Sequence, residues 1–171
     1  MRRLVISLAA AAALAGIASS GAAASAASPC TSAQVSARMT VVKGSAGAGN
    51  IVYRLRLRNV SAVACVVAGR PALRLRDSYG HGLPTHVAAT PPGSIGALIT
   101  LAPGASAGAT LRFSPDVPGK GEQTTGPCEP VAHSVRVTLA SPGHGSLSGP
   151  IKPATSVCEQ GGMSESNLSH L

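Results

Sequence analysis

Side chains able to do chemistry are sparse in this chain. Its whole acidic complement is Asp77, Asp116, Glu122, Glu129, Glu159 and Glu165. A glycosidase-type reaction needs two carboxylates facing each other across a cleft, and here each one falls in or beside an expected turn or loop, with no sign of convergence. The serine nucleophile elbow Gly-x-Ser-x-Gly is absent: the nearest string, Gly145-Ser146-Leu147-Ser148-Gly149, has leucine in the middle and no buried strand of the right kind before it. The histidines, His81, His86, His133, His144 and His170, are scattered over glycine-rich or strand-edge positions. His81 and His86 share a loop, but that spacing in a loop is not a zinc-ligand signature. Met39 and Met163 are too few for copper handling. The sequence therefore predicts no enzyme, no cofactor and no metal.

Four cysteines, Cys30, Cys65, Cys128 and Cys158, form no Cys-x-x-Cys pair, which removes the spacing of a metal or redox centre. In an exported chain they read as structural disulfides. Three pairings are possible. Cys30 with Cys65 and Cys128 with Cys158 is preferred because each pair brackets one half of the domain, and the other two stay open. Loops of this size stabilise a fold by about 3 to 4 kcal/mol each in the chain-entropy model.

The remaining chemistry is cationic. Arg54, Arg56, Arg58, Arg74, Arg76, Arg112 and Arg136 sit at alternate positions of strand-like segments. Alternate residues of a strand project to one side about 7 Å apart, close to the spacing of charges along an anionic polymer. A guanidinium grips a phosphate or carboxylate through two parallel hydrogen bonds, so Arg54, Arg56, Arg58, Arg74 and Arg76 are the candidate anion-binding residues. The competing reading is a solubilising face that discourages edge pairing. Tyr53, Tyr79 and Phe113 are the only aromatics, too few for the stacking platforms of single-strand nucleic-acid binders. Nucleic acid is thus not an expected partner. Asn59-Val60-Ser61 and Asn167-Leu168-Ser169 match the N-glycosylation pattern, a match that short strings often make by accident.

The elements that position these residues follow from pattern. Arg2 and Arg3, an apolar stretch from Leu4 to Ile17 and small residues up to Ser28 have the order of a cleavable secretion signal, with the signal expected over 1–26. The apolar stretch is shorter than the about 20 residues that cross a bilayer, and Cys30 after Pro29 is misplaced for a lipid anchor, so no transmembrane segment is expected in the mature chain. Cleavage lowers the formal charge from +8 to +6.

Period-two alternation marks strands at Ser36 to Val42, Val52 to Asn59, Ala72 to Asp77, Ala107 to Ser114 and Ser134 to Leu139, with shorter ones at Cys65 to Ala68 and Ile95 to Leu101. The first two should form a hairpin across the glycine-rich loop 43–50. The Pro103-Gly104 turn should make another hairpin of the strands on either side of it. Pro115 to Pro130 is a long loop. No sustained 3.6-residue period follows the signal, so the expected fold is all-β: an antiparallel, immunoglobulin-like β-sandwich, stapled by disulfides, over 27–163. Residues 164–171 are expected to be a flexible tail beyond the last staple.

The string from Asn59 to Gly80, Asn-x-Ser-x-x-x-Cys-x-x-x-Gly-x-Pro-x-x-x-Leu-x-Asp-x-x-Gly, followed by Leu101-Ala102-Pro103-Gly104, Cys128, Val135 to Leu139 and Cys158, resembles the domain of unknown function 4232 family. Arg70 stands where an aromatic is common, and Arg76 adjoins Asp77. The resemblance covers Cys30 to Cys158. It implies an exported or lipid-anchored envelope protein of the high-GC Gram-positive kind, an immunoglobulin-like sandwich with two disulfides, and no established activity. The chain departs from the pattern at Glu159, where glycine is usual, and in lacking the frequent lipid anchor.

The function expected from the sequence is a non-enzymatic, secreted, envelope-associated binding module. Its partner would be an anionic cell-envelope polymer or a partner protein, met through loops or the arginine face. The alternatives are a secreted enzyme or inhibitor acting through a surface loop such as Pro115 to Pro130, or a purely structural envelope protein.

Overall fold

The computed structural model describes residues 27–171, and the signal expected over 1–26 lies outside them. In chain order the strands are β1 (Ser28–Pro29), β2 (Val35–Val41), β3 (Ile51–Asn59), β4 (Cys65–Ala68), β5 (Ala72–Arg76), β6 (His86–Ala89), β7 (Leu98–Leu101), β8 (Ser106–Phe113), β9 (Ala132–Thr138), β10 (Ser146–Thr155), β11 (Gly162–Glu165) and β12 (Ser169–His170). A large sheet runs in the order β5-β9-β10-β2-β3-β8-β11-β6, with β12 also on β8, and a small one in the order β1-β4-β7. The chain is thus an all-β sandwich of the immunoglobulin-like kind, with both preferred disulfides, Cys30–Cys65 and Cys128–Cys158, in place.

Alternation decides which side of each strand is dry. In β3, Tyr53, Leu55 and Leu57 are buried while Arg54, Arg56 and Arg58 are exposed; in β9, Val135 and Val137 are buried and Arg136 is exposed. These inward residues join Met39, Leu75, Leu111 and Ile151 of the large sheet and Val67, Ile99 and Leu101 of the small sheet in one aliphatic core. Fully burying one such side chain stabilises the fold by about 1.5 to 3 kcal/mol. Tyr53 and Phe113 pack with ring centroids 5.3 Å apart, and Tyr53 donates its hydroxyl to the Pro153 carbonyl at 3.1 Å.

The β2–β3 hairpin forms as expected, pairing Val35 with Asn59 through to Val41 with Tyr53. Parallel pairing of β10 with β2 joins it to β9 and β5. That junction needs glycine at position 149, where a Cβ would come within 2.2 Å of the Ala37 carbonyl oxygen.

Three expectations are corrected, and one strand is added. The strands around Pro103-Gly104 do not form a hairpin: β7 pairs with β4 and β8 with β3, so the turn carries the chain from the small sheet to the large one. Buried Asn59 fixes that crossing, donating Nδ2 to the carbonyls of Leu101 (2.9 Å) and Val63 (2.7 Å) while its backbone carbonyl receives Gly104 N–H. Residues 164–171 are not a free tail. Ser164 and Glu165 pair with Arg112 and Leu111 of β8, Ser169 and His170 pair further along the same strand, and Leu168 is buried.

The strands expected from alternation end at Leu139, and the structure adds a full strand over Ser146–Thr155, whose Ile151 completes the core and whose register shifts after Pro150. Finally, His86–Ala89 is a strand, drawn into the sheet by parallel pairing with β11.

Candidate anion-binding face and loop cluster

The outward side chains of the large sheet share one chemistry. Arg38 of β2 stands directly opposite Arg56 of β3, and Arg74 of β5 directly opposite Arg136 of β9. Around them the outward positions carry hydroxyls: Ser36 faces Arg58, Thr40 faces Arg54 and also Lys152 of β10, Ser148 faces Arg136, and Thr110 faces Arg54 from β8. The only acidic residue in any of the strands is Glu165, which points inward and is buried. Among the described residues the one contact at salt-bridge distance is His81 with Asp77, at 3.1 Å, so no arginine of the face is paired with a carboxylate.

Of the arginines expected from the sequence to bind anions, Arg54, Arg56 and Arg58 sit together on β3, and Arg74 and Arg76 together on β5. They lie on the outer side of one sheet but form two groups, separated by β9, β10 and β2. Arg38 and Lys152, which the sequence reading passed over, lie between them on β2 and β10. Arg38 was detectable: it alternates with buried Ala37 and Met39. Lys152 lies on β10, a strand that alternation alone does not mark.

Shallow cavities mark both groups. One of about 250 Å³ is lined by Ser36, Arg38, Arg56, Arg58 and Pro150, and another of about 430 Å³ by Arg74, Arg76, Arg136, Thr138 and Ser146. Arg76 Nε itself is buried without a hydrogen-bond partner, a state that costs free energy.

The loop 115–130 holds a different cluster. Glu122 accepts N–H donations from Gly119 (2.6 Å) and Glu159 (2.9 Å) on Oε2, and from Gln160 on Oε1. Glu159 and Gln160 are left-handed, with φ of 57° and 56°, a conformation that turns successive N–H groups toward one anion. Partial desolvation pushes the Glu122 carboxyl up, but the donors from Gln160, Gly119 and Glu159 outweigh it and hold the group below the usual carboxylate range.

Glu129 is pushed the other way, by desolvation first and then by the Glu122 carboxylate beside it. The sequence reading expected no convergence of carboxylates, and these two do converge, because the Cys128–Cys158 disulfide draws the loop onto the Cys158–Gly161 turn. An open cavity of about 680 Å³ adjoins them. Glu122 spends its oxygens on backbone donors, so the pair fastens the loop. Cys128 and Cys158 lie beside Glu122 in a metal-like grouping, but their sulfurs are consumed in the disulfide and are not thiolates.

The histidine pair of the sequence reading splits. His81 Nδ1 faces Asp77 Oδ2 at 3.1 Å, and His86 donates Nδ1–H to the Gln160 carbonyl at 2.8 Å. Of the two glycosylation matches, Asn59 is buried and hydrogen-bonded within the fold, and the Asn167 Oδ1 accepts from Arg70 at 3.2 Å. No helix among the described residues is long and apolar enough to cross a membrane.

No curated protein and no solved structure matches the chain. A family match spans residues 30–168, which takes in both disulfides, the Asn59 crossing and every arginine of the outer face. The chain belongs to the family described as Domain of unknown function (DUF4232).

Proposed function

We propose that the domain is a non-enzymatic, exported binding module that holds an anionic polymer of the cell envelope on the outer side of its large sheet. The carrying observation is the pair of directly opposed arginines, Arg38 with Arg56 and Arg74 with Arg136, on a surface without a single outward carboxylate. Like charges directly across two strands destabilise a sheet. A surface meant only for solubility would interleave both signs, so this arrangement gains its purpose from an external anion. Two formed disulfides support an oxidising, extracytoplasmic destination.

The test is co-sedimentation of the oxidised mature protein with purified cell envelopes across a salt series, alongside a variant carrying Arg54→Ser, Arg56→Ser and Arg58→Ser. Binding at low salt that fades as ionic strength rises, and that the variant loses, is the expected result. Absence of binding at low salt, or binding indifferent to salt, overturns the proposal.

A further inference from the structure

The two arginine groups are built alike, and their likeness specifies a ligand more narrowly than charge does. Arg38, Arg56 and Arg58 line one cavity with Ser36, and Arg74, Arg76 and Arg136 line the other with Thr138 and Ser146; Arg58 Nε also donates to the Gly104 carbonyl at 3.1 Å, and the Thr138 and Ser146 hydroxyls hydrogen-bond each other at 2.7 Å. Each holds a cross-strand arginine pair, so arginines of two strands line the same hollow, with a hydroxyl-bearing residue beside them. A carboxylate has two oxygens in one plane and is satisfied by the fork of a single arginine. Several arginines from two strands around one hollow suit a group with more oxygens pointing in more directions, which is a phosphate.

From the strand order β5-β9-β10-β2-β3, the middle of the β2–β3 pair is three inter-strand steps from the middle of the β5–β9 pair. β10 lies between, and its outward Ser148 and Lys152 keep the path polar and free of negative charge. We infer that the face is a two-clamp site for a phosphate-bearing polymer, each clamp gripping one phosphate and the chain crossing β10 between them. This inference rests on the anionic-polymer reading and specifies its ligand.

Two joined clamps have a signature that a diffuse cationic surface lacks. A chain long enough to occupy both gains from the effective concentration of its second phosphate, by 10²-fold or more, roughly, over one that fills a single clamp. The experiment measures binding of inorganic phosphate, tripolyphosphate, long-chain polyphosphate and polyglutamate to the oxidised protein by calorimetry at low and moderate salt. A step of about 100-fold between tripolyphosphate and long chains is expected. In the variant Arg74→Ser with Arg136→Ser, long-chain affinity should fall to the tripolyphosphate level, while tripolyphosphate affinity itself drops by no more than about twofold because one clamp survives. Lys120→Ser, which removes an exposed cation of the 115–130 loop, should leave the step intact.

Affinity that grows smoothly with length and falls alike in the clamp and Lys120 variants overturns the two clamps and leaves the anionic-polymer reading standing. Polyglutamate binding as tight as polyphosphate of equal charge overturns the choice of phosphate. Binding of none of the probes at low salt overturns both proposals. The length step is read on the unaltered protein, so a variant that failed to fold would not blunt the test.

Discussion

Arg38 and Arg56 face each other directly across the β2–β3 ladder, and neither has an acidic residue opposite or beside it on the outer side of the sheet. Opposed like charges cost a sheet about 0.2 to 1 kcal/mol relative to a neutral pair. A double-mutant cycle with Arg38→Gln and Arg56→Gln, followed by urea unfolding at low salt, should therefore give an unfavourable coupling of about that size, with each single variant more stable than the parent. The gain should shrink as salt is added. A favourable or vanishing coupling at low salt would show that the two guanidiniums avoid each other, and would remove the main physical reason for assigning this face an external anion.

Glu165 gives the fold a dependence on pH. It is 1 % exposed, its Oε1 has no hydrogen-bond partner, and its strand neighbours are Leu111 and Ala89. Burial pushes its carboxyl up to about 8, against the opposing pull of the Arg70 charge. Between the ordinary value of 4.5 and about 8, the unfolded chain has released this proton while the folded chain keeps it. Stability should thus be fully present below the lower value, fall across the window by about 1.4 kcal/mol per pH unit and level off above it. Glu165→Gln should abolish that slope and leave the variant more stable than the parent at pH 8. Urea unfolding of both proteins from pH 5 to 9 reads the difference, and parallel pH profiles would sink the assignment.

Much of this architecture was legible because it depends on local period. The strand over Ile51–Asn59, the β2–β3 hairpin and the outward arginines all follow from alternation, which fixes what faces water once one side is dry. Partnering was not legible. Nothing local says that the Pro103-Gly104 turn crosses between sheets, since the cause is Asn59, more than forty residues away in sequence, holding the Leu101 carbonyl. The strand Ser146–Thr155 carries Gly149, Pro150 and Pro153 and little alternation, and it is its pairing with β9 and β2 that makes it a strand. The last residues were misread for a related reason: a short polar segment looks frayed until β8 offers it an edge. For the candidate site, the arginines could be found from sequence, but their grouping into two sets depends on β10 and β2 lying between β9 and β3, which is topology and not pattern.

Glu122 and the Cys128–Cys158 disulfide fasten the same loop to the same turn, one through a carboxylate and one through a covalent bond. Left-handed backbone at a non-glycine residue is unfavourable by about 1 to 2 kcal/mol, so Glu159 and Gln160 hold that shape because Glu122 binds the N–H groups they present. Glu122→Ala should leave global unfolding cooperative while making the 115–130 loop more open to limited proteolysis, and the effect should be greatest once the disulfide is removed by Cys128→Ser with Cys158→Ser.

The cap also has a pH sign. The folded carboxyl of Glu122 lies below its ordinary range, so its contribution is complete above that range and disappears as acid protonates the folded form. Proteolysis of the loop by an acid-active protease should rise toward low pH in the parent and be nearly flat in Glu122→Ala. Equal cleavage rates for parent and variant at neutral pH would mean that the disulfide alone secures the loop.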